Sequence, residues 1–184
     1  MRILSSFFSI IVLFVLSTRP LLSQEKIGAE RDRIRGTWAV IGYEEDGKVH
    51  MYGSAASYWK FGEWDAREWL ANAEKSELFP LWRSDPTSKP RKLDLIYVDQ
   101  TNHEVLVRQG VYEIDGDSLS WTLPQGFGGN PKKTTIDATS KMMLSARPAR
   151  ISTARGDGFS RLIMTRVKDA AEALAPEERK KSGK

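Results

Sequence analysis

The chain has 184 residues, 40% of them hydrophobic and six of them tryptophan, so it can build one globular core but not two of ordinary size. It has no cysteine, which excludes disulfides, thiolate metal sites and a cysteine nucleophile. The formal net charge is +4 with acids and bases interspersed, which gives no basic face for nucleic acid.

Met1 to Ser23 reads as a secretory signal peptide. Arg2 supplies the positive start, Ile3 to Leu16 is apolar apart from serines, and Ser17 to Pro20 breaks it. The apolar run is shorter than the ~20 residues that span a bilayer. The mature chain is therefore expected to have no membrane span and to be exported, to a periplasm or outside the cell. Losing Arg2 and Arg19 leaves 26 basic residues against 24 acidic, a net charge near +2.

Gln24 to Arg35 is a polar, charged lead-in with helical character. Gly36-Thr37-Trp38 opens a strand running to Tyr43, and Glu45-Asp46-Gly47 turns the chain. Val49 to Tyr52 and Ser57 to Phe61 read as short strands, with Trp59 and Phe61 on one face. Trp64 to Leu78 reads instead as a short inserted helix. Asp65 and Glu68 have capping-box spacing, and Ala66, Leu70 and Ala73 form an apolar stripe.

The central stretch, Asp85 to Leu123, has the period of two that marks half-buried antiparallel strands. Leu93, Leu95 and Tyr97 alternate with Lys92, Asp94 and Ile96, and Leu119, Trp121 and Leu123 alternate with Ser118, Ser120 and Thr122. Asp115-Gly116-Asp117 between the last two runs is a hairpin signal. After a Gly-rich loop over 124–131, Lys132 to Asp137, Lys141 to Ala146 and Arg161 to Lys168 read as further strands. Arg147 to Gly158 is a loop between them, and 169–184 reads as a charged tail. The expected organisation is a leader over 1–23, a lead-in over 24–35, one β-barrel over 36–168, and the tail. Eight or nine short strands with regular turns fit an all-β, closed antiparallel barrel, because closure removes exposed edges.

Two groups of residues resemble known patterns. Arg35-Gly36-Thr37-Trp38 is similar to the Gly-x-Trp opening of lipocalin-like barrels. Asp85-Pro86-Thr87, Leu93-Asp94-Leu95 and Gly110-Val111-Tyr112-Glu113-Ile114-Asp115-Gly116-Asp117-Ser118-Leu119 resemble a family of exported planctomycete-type domains of unknown function. The resemblance runs from Ile34 to Val167. It implies a lipocalin-like barrel and no established activity. It also implies that Trp38, entered through Gly36, closes one barrel end under an arginine of the last strand, Arg166. The 64–78 stretch departs from the family pattern and would sit at the barrel mouth.

No catalytic constellation stands out, so the chain is expected not to be an enzyme, and no cofactor or metal is expected. His50 and His103 have no partner at ligand spacing, Asp115 and Asp117 suit a turn, and no phosphate-cradling motif is present. Asp94, between Leu93 and Leu95, faces solvent or sits paired inside the barrel. Tyr58, Trp59, Phe61, Tyr97, Tyr112 and Trp121 either fill a dry core or line a pocket, for which Trp59, Phe61, Tyr112 and Trp121 are the candidate lining residues. Two functions follow: an exported protein holding a small apolar or amphipathic ligand, or a filled barrel that binds an envelope protein through its outer loops and tail.

Overall fold

A computed structural model describes residues 25, 27–72, 74–98, 104–125, 134–137, 142–169, 174, 175 and 178. The expected leader over 1–23, His103 and most of the Gly-rich loop lie outside these residues.

Short helix α1 (27–34) leads into β1 (Gly36–Glu45). The strands β2 (Lys48–Met51), β3 (Ser57–Phe61), β4 (Ala66–Leu70), β5 (Glu77–Phe79) and β6 (Leu81–Asp85) follow. Then come β7 (Arg91–Val98), β8 (Glu104–Asp115), β9 (Ser118–Pro124), β10 (Thr134–Asp137), β11 (Met142–Ser145) and β12 (Phe159–Arg166). Nine of them form a nearly closed antiparallel barrel. Going round it, β1, β3, β4, β5, β6, β7, β8, β9 and β12 follow chain order, and β12 returns to pair with β1. Only Pro80 separates β5 from β6. The two act as one bent run that pairs first with β4 and then with β7. β2 hairpins off β1, and the β10–β11 hairpin adds to the first half of β8 by a parallel pairing.

The expected all-β barrel is what the chain forms. The helix expected over 64–78 is not there. That stretch holds β4 and β5, and the short helix is the lead-in. The local capping signal loses to pairing. Asp65 accepts the Gly62 amide through its carbonyl at 2.8 Å, closing the β3–β4 turn, and β4 then pairs along all of β3. This puts Trp69 on the outer face, buried against Tyr58 and Ala175. Tertiary pairing overrides a propensity of tenths of a kcal/mol per residue. In the tail, Ala175 is fully buried, and Glu178 pairs with Lys60 on β3.

Alternation sets the core. Trp38 and Val40, Trp59 and Phe61, Leu93 and Leu95, Tyr112 and Ile114, and Leu119, Trp121 and Leu123 all point inward and are buried. Gly110 shares this inward row. A Cβ there would lie 2.3 Å from Trp121 Nε1, so the missing side chain is what admits the indole, which donates to the Leu93 carbonyl at 3.2 Å.

Helix α1 seals one end. The Trp38 indole donates to the Ile34 carbonyl at 2.7 Å. Buried Glu30 accepts from Arg91 at 2.7 Å, Arg33 at 2.9 Å and Tyr112 at 3.2 Å. Burial, then the Glu30 charge, push the Tyr112 phenol well above its usual range. Trp38 and Arg166 are direct cross-strand partners, and the Arg166 guanidinium lies 4.2 Å over the indole. Its Nη1 donates to the Arg35 carbonyl at 2.7 Å and its Nη2 to that of Arg33. Gly36, at φ 113°, leaves room for this: a Cβ there would meet Nη1 at 2.8 Å.

The 146–158 segment straps the outer face and is pinned by two buried carboxylates. Asp94 faces outward yet is only 4% exposed, because Arg147 covers it with two 2.8 Å bonds. Arg147 also donates to the Gly110 carbonyl at 2.8 Å. Asp94 is thus neither solvated nor inside the barrel. Glu44 accepts the Thr153 amide at 2.7 Å and pairs with Arg161 at 2.5 Å. Thr122, beneath the strap, donates to the Ile151 carbonyl.

Candidate binding site at the open end of the barrel

The four residues expected to line a pocket come together, but as core. Trp59 and Trp121 meet edge to face at 5.1 Å, Phe61 and Trp121 at 5.8 Å, and Trp59 stacks on Phe61 at 6.0 Å. Tyr112 lies lower, against Glu30 of α1. All four are at most 1% exposed.

Polar side chains on inward-facing positions gather instead at the end away from α1. Strand pairing puts them there. Trp59 of β3 is opposite Glu68 of β4, and Glu68 is opposite Glu77 of β5. Directly opposed residues of an antiparallel pair share a face, so both carboxyls lie on the side of the sheet that holds Trp59. Tyr97 ends the inward row of β7, after Leu93 and Leu95, and its hydroxyl donates to Glu77 Oε1 at 2.6 Å. Arg108 stands on the Gly110–Tyr112 row of β8, its guanidinium 5.6 Å from the Tyr97 ring and 6.0 Å from Phe79. The floor is aromatic: Trp59 stacks on Phe79 at 5.4 Å, and Phe79 meets Tyr97 at 5.0 Å. Near the same end, the inner side of the β1–β2 hairpin carries Tyr43 stacked on His50 at 4.8 Å, with Tyr52 at 5.7 Å.

The electrostatics follow from this crowding. Burial, then the Glu77 charge, push the Glu68 carboxyl up to about 7, with Arg108 opposing. Burial and the bond to Glu77 raise the Tyr97 phenol. Near neutral pH, Glu68 can donate or accept a proton, Glu77 accepts, and Arg108 offers positive charge over the Phe79 and Tyr97 rings. Such a set can hold the polar end of an amphipathic molecule against the partly exposed Tyr97 ring, with Trp59 and Phe79 fully buried beneath it. The folding linkage has a definite sign. Glu68 titrates near 4.5 when free and near 7 when folded, so the folded chain prefers its proton. That preference costs nothing below about pH 4.5, and stability is lost progressively as pH rises through about 7.

Sequence reasoning missed Glu68, Glu77 and Arg108. Reading 64–78 as a helix hid both carboxyls. Arg108 did leave a signal: it is a charged residue on the same alternate row as Gly110, Tyr112 and Ile114. Among the described residues, no group of three or more His, Cys, Asp or Glu is placed to hold a metal ion, and no helix is long and apolar enough to cross a membrane. No family model, no curated protein and no solved structure matches the chain.

Proposed function

We propose that this chain is an exported, non-enzymatic binding protein of the lipocalin-like kind, which receives a small amphipathic ligand at the open end of its barrel. The observation that carries the reading is the placement of Glu68, Glu77, Tyr97 and Arg108 above the Trp59–Phe79–Tyr97 floor. Turning ionisable groups inward costs desolvation, and a cluster of them beside an apolar surface is a common mark of a site. Export rests on the leader, and kinship with the planctomycete-type family on the motifs quoted above. The interior below Trp59 contributes rigidity, since its rings pack on one another.

Anilinonaphthalene sulfonate, an amphipathic anion, is a direct probe. The folded chain should bind it, and Arg108→Gln should weaken binding by about tenfold, or about 1.4 kcal/mol. Trp64→Ala, at the sealed end, should leave it unchanged. Native mass spectrometry of detergent-free protein should show added mass that denaturation removes. Neither probe binding nor added mass would end the reading.

A second reading has one observation in its favour. The outer surface exposes Val49 and Met51 on β2, and carries a groove of about 730 Å3 whose lining includes Ala39, Ile41, Tyr58 and Val167. A barrel used as a rigid envelope-protein binder would present such a face.

A further inference from the structure

Where β5 meets β7, side chains make the link. β5 pairs through its backbone with β4, and it is β6 that pairs with β7. Three contacts bridge the junction: the Tyr97 hydroxyl to Glu77, the Phe79 ring against Tyr97, and the Arg108 guanidinium over both rings. Each involves Glu77, Phe79 or their direct neighbours. On the other side of Glu77, its cross-strand partner is Glu68. Like charges directly opposed across an antiparallel pair are destabilising.

We propose that this junction is a proton-operated gate on the open end: with Glu68 neutral it is latched, and with Glu68 ionised the β4–β5 ribbon loosens from β7 and uncovers the aromatic floor. The inference rests on placing binding at that end, and it concerns the regulation of the same site.

The groups that face Glu68 decide the balance. They are Glu77 from β5, Tyr97 from β7 and Arg108 from β8; from β3 it faces the uncharged Trp59. With Glu68 protonated, Arg108 balances Glu77 and the Tyr97 bond holds. With Glu68 charged, two carboxylates share that guanidinium, and the repulsion falls on the three-residue β5. Relief is available because both strands of the ribbon are in part exposed, Leu70 at the end of β4 at 62% and Leu78 within β5 at 45%. Elsewhere the barrel is held by long ladders, such as β7 with β8 and β1 with β12, which do not share this strain. The position of the Glu68 carboxyl near 7 places the transition close to neutrality. The gate would be latched on the acid side and loosened on the alkaline side.

Hydrogen exchange of the full chain, without ligand, tests this. After correction for intrinsic rates, amides over 66–79 should exchange about tenfold faster at about pH 8.5 than at about pH 6, while β8, β9 and β12 hold steady. Glu68→Gln and Glu77→Gln should each abolish the difference, the second keeping an acceptor for Tyr97. If one of them fails to fold, the other decides. Equal protection at both pH values, a pH response that survives the folded variants, or a loss spread evenly over the sheet would overturn the gate. Probe binding with pH-independent exchange would refute the gate and leave the binding reading intact. A pH response without probe binding would do the reverse.

Discussion

Trp121→Ala should lower the unfolding free energy by about 4 kcal/mol, measured by urea denaturation. The indole is fully buried and packs edge to face on Trp59 and Phe61. It occupies the space that Gly110 leaves open and donates to the Leu93 carbonyl. Truncation removes the ring contacts, opens a cavity and leaves a buried carbonyl without its donor. The strands around it belong to long ladders and cannot collapse into the gap. Trp64→Ala makes the same chemical change on a ring that is 58% exposed, and should cost less than about 1 kcal/mol. Similar losses for the two variants would mean that the barrel interior is not the packed core described.

Arg147→Ala should cost about 3 kcal/mol, chiefly by stranding a buried charge. Among the described residues, Asp94 would keep the Gly110 amide at 3.3 Å and the more distant Arg83 at 3.7 Å. Replacing both partners, Asp94→Leu with Arg147→Met, should recover most of the loss, because no ion is then left in a dry site. The double-mutant cycle makes the distinction. If the double variant is as unstable as the single one, the strap depends on shape rather than on this pair. Hydrogen exchange of the Arg147→Ala variant should show whether the 146–158 strap is released, through loss of amide protection at Thr153, which Glu44 holds from the other side.

The barrel was legible where large apolar side chains recur at every second position of a strand. Leu119, Trp121 and Leu123, and Leu93, Leu95 and Tyr97, carry that alternation openly, and Gly116 marks the turn between β8 and β9. Trp38 and Arg166 stand in the first and last strands of the ring, so a barrel that closes must bring them together. Legibility failed where tertiary pairing decides against local preference. Asp65, Ala66 and Glu68 look like a helix start until β3 offers a ladder to pair with. It failed too where partners are far apart in the chain. Asp94 and Arg147 are 53 positions apart, so the polar residue in a Leu-Asp-Leu strand could not reveal that a later loop covers it. The inward cluster combines both difficulties. Glu68 and Glu77 face inward only because of their strand register, and a shift of one residue would turn both to solvent.

The central claim is a barrel whose aromatic rings are solid core near α1 and whose binding surface is the polar end above Trp59. Indole and amide NMR of the folded chain, titrated with anilinonaphthalene sulfonate, tests it most directly. Signals from Trp59, Glu68, Tyr97 and Arg108 should shift together, with Trp38 and Trp121 still. Shifts centred on Trp121 and Tyr112, with the open end unchanged, would contradict it.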